Sequence, residues 1–196
     1  MHFPSFRHAA ISDAAALGTI QVTSWRSAFR GIAPDDYLDN QVSPESQAED
    51  WKEILADGDQ IVIVAEMENE VVGYAWAHRE DDSAIEWDAE LISMHILPEF
   101  KRQGIGRGLV SAIAAELRKR DCSSFHLSVL EENRPARAFY ESMGGVLVGS
   151  RKTQLGGKDV TDVFYAWRNL SNFVESGSAT QSLNQPAVFN NKGINE

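Results

Sequence analysis

At 196 residues with 43% hydrophobic content, the chain is long enough to bury one sizeable core, and one main domain is the expectation. No apolar run approaches the length of a bilayer span, and the opening MHFPSFRHAA lacks the charged-then-apolar order of a secretory signal, so a soluble cytoplasmic protein with no membrane partner is expected. A formal net charge of -11 argues against general affinity for nucleic-acid phosphates and favours cationic substrates such as amines, while the lone Cys122, with no Cys/His cluster beside it, suggests neither a disulfide nor a zinc site.

In chain order, Phe6 to Ala10 reads as a short strand, after which Ser12 or Asp13 caps a helix through AAALGTIQVTSWRSAFR. Pro34 starts a short turn or helix. SPESQAEDWKEILADG predicts another, with Pro44 in its first turn and Gly58 just after its end. The period then changes: QIVIVAEM and EVVGYAWAH are β-branched and aromatic runs on either side of the polar ENE, an antiparallel hairpin. In AELISMHILPEF, Ile92, Met94 and Ile96 alternate with Ser93, His95 and Leu97, so a strand runs into Pro98. Gly104 then begins a helix on which Ile105, Leu109, Ile113 and Leu117 recur every four residues.

Beyond it, Phe125, Leu127 and Val129 alternate with His126 and Ser128 as another strand. NRPARAFYESMGG gives a short helix capped by Asn133 or Arg134, with Pro135 in its first turn and Gly144 as its stop. GVLVGSR and DVTDVFYAWR are two last strands around the turn LGGK. From Ser171 the composition shifts to Ser, Asn, Gln and Gly, which suits a mobile tail or a segment ordered by a partner.

The stretch EFKRQGIGRGLVSAIAAELRKR, Glu99 to Arg120, carries Lys101, Arg102, Arg107, Arg118, Lys119 and Arg120, so an acidic chain gathers positive charge around a glycine loop and an anionic ligand is expected there. A nucleotide-hydrolase P-loop needs Gly-Lys followed by Ser or Thr, which is missing. A dinucleotide fingerprint needs a third glycine where Leu109 stands. The remaining reading is a pyrophosphate cradle, in which Gly104, Gly106 and Gly108 expose backbone N–H groups at a helix N-terminus. Its alternative is a glycine turn that merely starts a core helix.

The order strand, glycine loop, long helix, strand and NRPARAFYESMGG, with the signature LISMHILPEFKRQGIGRGLV, resembles the GNAT-type N-acetyltransferase superfamily over most of Phe6 to Asn169 and most specifically between Glu90 and Gly145. The resemblance implies an α/β (α+β) fold with a mixed, mostly antiparallel central sheet flanked by helices on both faces. Residues 1–170 would form the acetyltransferase domain and 171–196 the tail.

It further implies acetyl-CoA as co-substrate, no metal, and acetyl transfer to a primary amine of a small molecule, peptide or protein. Lys101, Arg102, Gln103, Gly104, Ile105, Gly106, Arg107 and Gly108 would hold the pyrophosphate. Backbone groups of Met94, His95 and Ile96 would bond the pantetheine arm and the acyl carbonyl, and Asn133 matches a residue that bonds the pantetheine or ribose side. Relatives usually carry Gln or Arg where Lys101 stands; lysine keeps the charge without the planar fork, so Arg102 or backbone groups would take a larger share.

Amine acylation needs a base for the amine, donors for the oxyanion and an acid or stabilising site for the departing thiolate. Tyr140 in AFYESMGG matches the tyrosine that protonates the sulfur, and Glu90 the glutamate that takes the amine proton. Tyr140 also reads as a core aromatic, Glu90 with Glu86 and Asp88 as a solvated acidic strand end, and His95 as either a base or a packed histidine. Trp25, Asp36 and Tyr37, in SWRSAFRGIAPDDYLD, resemble the segment that walls the acceptor site. A non-catalytic acyl-CoA sensor on the same fold, a tail-mediated interaction module and a homodimer stay open.

Overall fold

The structure is a computed structural model that describes residues 3–40, 43–82 and 84–171; past Ser171, the expected tail lies outside the described residues. One sheet runs β1-β2-β3-β4-β5-β7-β6, built from β1 (Ser5–His8), β2 (Ile61–Met67), β3 (Glu70–Arg79), β4 (Ala89–Ile96), β5 (Phe125–Leu130), β6 (Val146–Leu155) and β7 (Lys158–Trp167). The helices are α1 (Ala14–Phe29), α2 (Asp35–Asn40), α3 (Pro44–Ala56), α4 (Ile105–Lys119) and α5 (Arg134–Ser142).

The two tight hairpins follow from their turns. Glu68 and Asn69 have φ of 53° and 70°, and Gly156 and Gly157 have 59° and 76°. Two successive residues with positive φ match the twist of the strands they join. Ser43 caps α3 by accepting from the Ser46 N–H at 3.1 Å, and Pro44 opens the helix.

Strand alternation divides the core between the faces of the sheet. Ala75, Ala77, Ala89, Leu91, Phe125 and Leu127 pack with the Ile105–Leu109–Ile113–Leu117 stripe of α4 and with Tyr140 of α5. Val62, Val64 and Tyr74 point the other way and pack with Ala14, Leu17 and Ile20 of α1 and with Trp51 of α3. Helices therefore cover both faces, as expected from the sequence.

Two irregularities lie in the middle of the sheet. The β3–β4 register shifts between Trp76, opposite Ser93, and Ala77, opposite Leu91, which leaves Ile92 as a bulge. β4 and β5 run parallel, and among the described residues their ladder holds the single pair Glu90↔His126. Beyond that pair β4 continues to Ile96 and β5 to Leu130, so the strands part and, among the described residues, the β5-facing backbone of β4 past Glu90 has no strand partner.

Candidate active site

The parting of β4 and β5 is the site's frame, and α4 stands at its mouth. Gly104 is the N-cap of α4 with φ of 82°, a left-handed conformation that glycine adopts without strain, and a side chain there would enter open space. The first intrahelical bond runs from the Gly108 N–H to the Gly104 carbonyl at 3.1 Å. The N–H groups of Ile105, Gly106 and Arg107 precede it and have no intrahelical acceptor. Together with the positive end of the helix dipole they suit an anion. Lys101, Arg102 and Arg107 are exposed beside them and join no ion pair among the described residues.

Within the glycine run the three glycines differ. A Cβ on Gly106 would stand 3.2 Å from the Phe139 ring and 3.5 Å from Ile96, so α5 and the end of β4 close on α4 there. A Cβ on Gly108 would stand 2.0 Å from the Phe6 ring. Gly108 is thus a close-packing position under β1, with its N–H already bonded. Ile105 is 1% exposed, so its side chain belongs to the core and only its N–H faces the cradle. Gln103 turns back, its Nε2 donating to the Glu99 carbonyl at 3.1 Å.

One part of the expected positive cluster lies elsewhere. α4 has 15 residues and so spans about 20 Å, which puts Arg118, Lys119 and Arg120 at its far end. There Lys119 pairs with Glu116 at 2.6 Å and Arg120 donates to the Asp59 carbonyl at 2.6 Å. Nearness in sequence along a helix is not nearness in space.

Met94, His95 and Ile96 pair on their β3 side with Ala75, Tyr74 and Gly73. His95 faces α1, opposite to Met94 and Ile96: its Nδ1 lies 3.2 Å from Ser24 Oγ and its ring 5.5 Å from that of Tyr74. Burial holds its pKa down, to about 4, so the ring is neutral at ordinary pH. Asn133 is the N-cap of α5, its Oδ1 accepting from the Ala136 N–H at 3.3 Å.

The acidic neighbours of Glu90 are occupied otherwise. Glu86 pairs with Arg168 at 2.5 Å, and Arg168 stacks over the buried Trp87 ring at 4.6 Å. Asp88 accepts from Ser123 N and Oγ, both at 2.7 Å, and from Ser124 N at 3.0 Å. The Glu90 carboxylate makes no hydrogen bond among the described residues. Burial pushes its pKa up, with Glu80 acting in the same sense and His78 and Arg151 against it. It is a half-buried carboxylate at the start of the opening.

Tyr140 stands on the other face. Its ring lies 5.3 Å from Phe139, 6.2 Å from Trp167 and 6.4 Å from Tyr165, and the residue is 8% exposed. Burial pushes its hydroxyl pKa up, so the phenol stays protonated. Tyr140 is therefore a core member, and its hydroxyl makes no hydrogen bond among the described residues.

Trp25 and Tyr37 come together at 5.6 Å between ring centroids, both half-buried. The β6–β7 turn closes on them: a Cβ on Gly156 would stand 2.5 Å from Tyr37, and Lys158 donates to the Ile32 carbonyl at 2.6 Å. Asp36 is exposed and contributes its carbonyl to Asn40 Nδ2 at 2.9 Å. Sequence reasoning missed His126 and His78, which pair with Glu90 from β5 and β3. Strand alternation carries the face each occupies, but the register that brings them beside Glu90 has no local signal.

Known proteins share this fold. The family model described as Acetyltransferase (GNAT) family matches residues 22–145. The uncharacterized N-acetyltransferase YuaI of Bacillus subtilis is 28% identical over 165 residues, 84% of this chain and 93% of its own. The PaiA N-acetyltransferase from Thermoplasma acidophilum, crystallised in complex with coenzyme A, superposes with a TM-score of 0.68 at 19% identity, covering 82% of this chain and 98% of that one. The ribosomal-protein-alanine N-acetyltransferase from Brucella melitensis superposes at 0.67 with 25% identity, covering 84% and 99%.

Proposed function

Because the chain belongs to the GNAT acetyltransferase family and is an acetyl-CoA-dependent acyltransferase, we propose that it acetylates a primary amine of a small molecule, peptide or protein by direct transfer, with Glu90 as base and Tyr140 as acid. The observation that carries this reading is the opening between β4 and β5. It begins just past Glu90↔His126, with Glu90 on the α1 face of the sheet and Tyr140 on the α5 face.

Acetyl-CoA supplies the acetyl group as a thioester. The free N–H groups of Ile105, Gly106 and Arg107 receive the pyrophosphate, with Lys101, Arg102 and Arg107 adding charge. The unpartnered β5-facing backbone of Met94 to Ile96 holds the pantetheine arm and donates to the carbonyl oxygen as it gains charge. Gly104 keeps that mouth open, and Asn133 steadies the start of α5.

On the α1 face Glu90 accepts the amine proton, and its raised pKa brings the carboxylate closer to the amine in basicity. Tyr140, protonated at working pH, gives its proton to the departing thiolate on the other side. Trp25 and Tyr37 wall the acceptor's approach, with Asp36 at the rim attracting its charge. A peptide amine is in keeping with the name of the Brucella relative.

The test is the pH dependence of kcat/KM in Glu90→Gln. The substitution keeps shape and removes the acceptor of the proton, so the loss is on the order of a hundredfold near neutral pH and shrinks at alkaline pH, where the free amine is abundant. A profile identical to that of the unmodified enzyme removes Glu90 from the mechanism.

A further inference from the structure

The sheet register sets three side chains in one row. Glu90 pairs with His78 on β3 and with His126 on β5, and cross-strand partners point to the same face. That is the α1 face, since Ala77, Ala89, Leu91, Phe125 and Leu127, which alternate with them, all lie in the α4 core. Glu80 sits two residues beyond His78. Ligating atoms of His78, Glu80 and Glu90 lie within 4.8 Å of one another, and two groups bridged by one water at ordinary hydrogen-bond lengths stand about 4.6 Å apart.

His126 is the unusual member. It is 6% exposed, and among the described residues neither Nδ1 nor Nε2 has a hydrogen-bond partner. A buried imidazole without partners is costly, so a polar guest at its nitrogens would relieve it. On its β7 side it faces Ala166, and on its β4 side Glu90. The guest therefore lies toward Glu90, where the strands begin to part.

We propose that His126 is a positioning residue for proton transfer: with Glu90 it holds the water that takes the acceptor's proton, and His78 passes that proton to solvent. The proposal rests on Glu90 as base. The N–H bond of the ammonium breaks as its proton joins the water, and the water gives one of its own protons to the Glu90 carboxylate. Glu90 then loses that proton to a nitrogen of His78, which releases it into bulk water, leaving the neutral amine. The exit is a cleft of about 500 Å³ that His78 and Glu80 line with Gln60 and Asp81. The charged groups that bear on Glu90 are His78 and Glu80 from the β3 side and Arg151 from β6; those bearing on His126 are Glu80 and His78. Burial keeps His126 neutral, with a pKa near 4, so one ring nitrogen remains an acceptor.

The experiment is a double-mutant cycle of His126→Phe with Glu90→Gln, read as kcat/KM against pH, with melting temperature as the check on folding. Phe fills the ring's space and removes both nitrogens. The relay predicts a fold as stable as the parent, a loss on the order of tenfold or more near neutral pH, and little further loss when Glu90→Gln is added. His126→Leu, which also lacks polar side-chain atoms, serves if the Phe variant does not fold, with the same loss expected. His78→Gln should lose activity in dilute buffer and regain it with added imidazole, which a structural role would not produce. A His126 variant with an unchanged pH profile, or losses that multiply with Glu90→Gln, overturns the relay while leaving Glu90 as base. If Glu90→Gln alone changes nothing, the base assignment falls and the relay with it.

Discussion

Gly108→Ala separates the part of the glycine run that packs from the part that binds. An added Cβ would stand 2.0, 2.5 and 2.8 Å from three atoms of the Phe6 ring. Non-bonded carbons rest about 3.5–4.0 Å apart, so the ring must retreat by about 1.5 Å. Phe6 lies on β1, which is tied to β2 through Phe6↔Ala65, and its ring is packed against the α4 core. Overpacking of this kind costs about 1–3 kcal/mol. In a chain of this size each kcal/mol lowers Tm by about 2–4 °C.

The assay is thermal unfolding together with calorimetric titration of coenzyme A into folded protein. Gly108→Ala should lower Tm by several degrees and leave Kd within about twofold, because its N–H is already bonded to Gly104. Gly106→Val, whose Cβ meets Phe139 at 3.2 Å in the mouth of the opening, should weaken coenzyme A by tenfold or more. A Gly108→Ala protein with unchanged Tm and lost coenzyme A affinity would put Gly108 in the cradle and refute this reasoning.

Two further outcomes follow from the burial of Tyr140 and of the histidines. Tyr140→Phe keeps the ring among Phe139, Tyr165 and Trp167 and should lower turnover by roughly ten- to a thousandfold with little change in Tm or coenzyme A affinity; full turnover in the Phe variant, with a large Tm loss in Tyr140→Ala, would leave Tyr140 as packing alone. His126, ordinarily 6.5 and held down to about 4, supplies stability that is complete above pH 6.5 and lost as pH falls toward 4, at most about 3 kcal/mol, with His95 acting in the same sense. Urea unfolding at pH 7.5, 6 and 4.5 should show that fall, and His126→Phe should reduce it; equal acid loss in both proteins would contradict the assignment.

Much of the fold was legible because it rests on local signals. The polar ENE and LGGK turns, the β-branched runs and the four-residue stripe of α4 each needed only neighbouring residues, and the hairpins and helix formed where those patterns lie. The glycine loop at the end of β4 was legible for the same reason. Strand order was not, since the insertion of β7 between β5 and β6 and the parting of β4 from β5 depend on pairings between distant segments. Gly108 looked like its two neighbours because the ring that excludes a side chain there comes from Phe6, at the other end of the domain. Glu90, Glu86 and Asp88 look alike in the sequence, and only the fold separates them, by bringing Arg168 to Glu86 and Ser123 and Ser124 to Asp88. The row His78–Glu90–His126 is likewise a product of register, which a one-residue slip would erase.

Amine-dependent release of thiol from acetyl-CoA, followed with a thiol reagent across a panel of small amines and peptide N-termini, tests the central claim most directly. Direct transfer predicts release that appears only with an accepted amine and matches the N-acetyl product one for one. Release without any amine, or coenzyme A binding with no release across the whole panel, would contradict it.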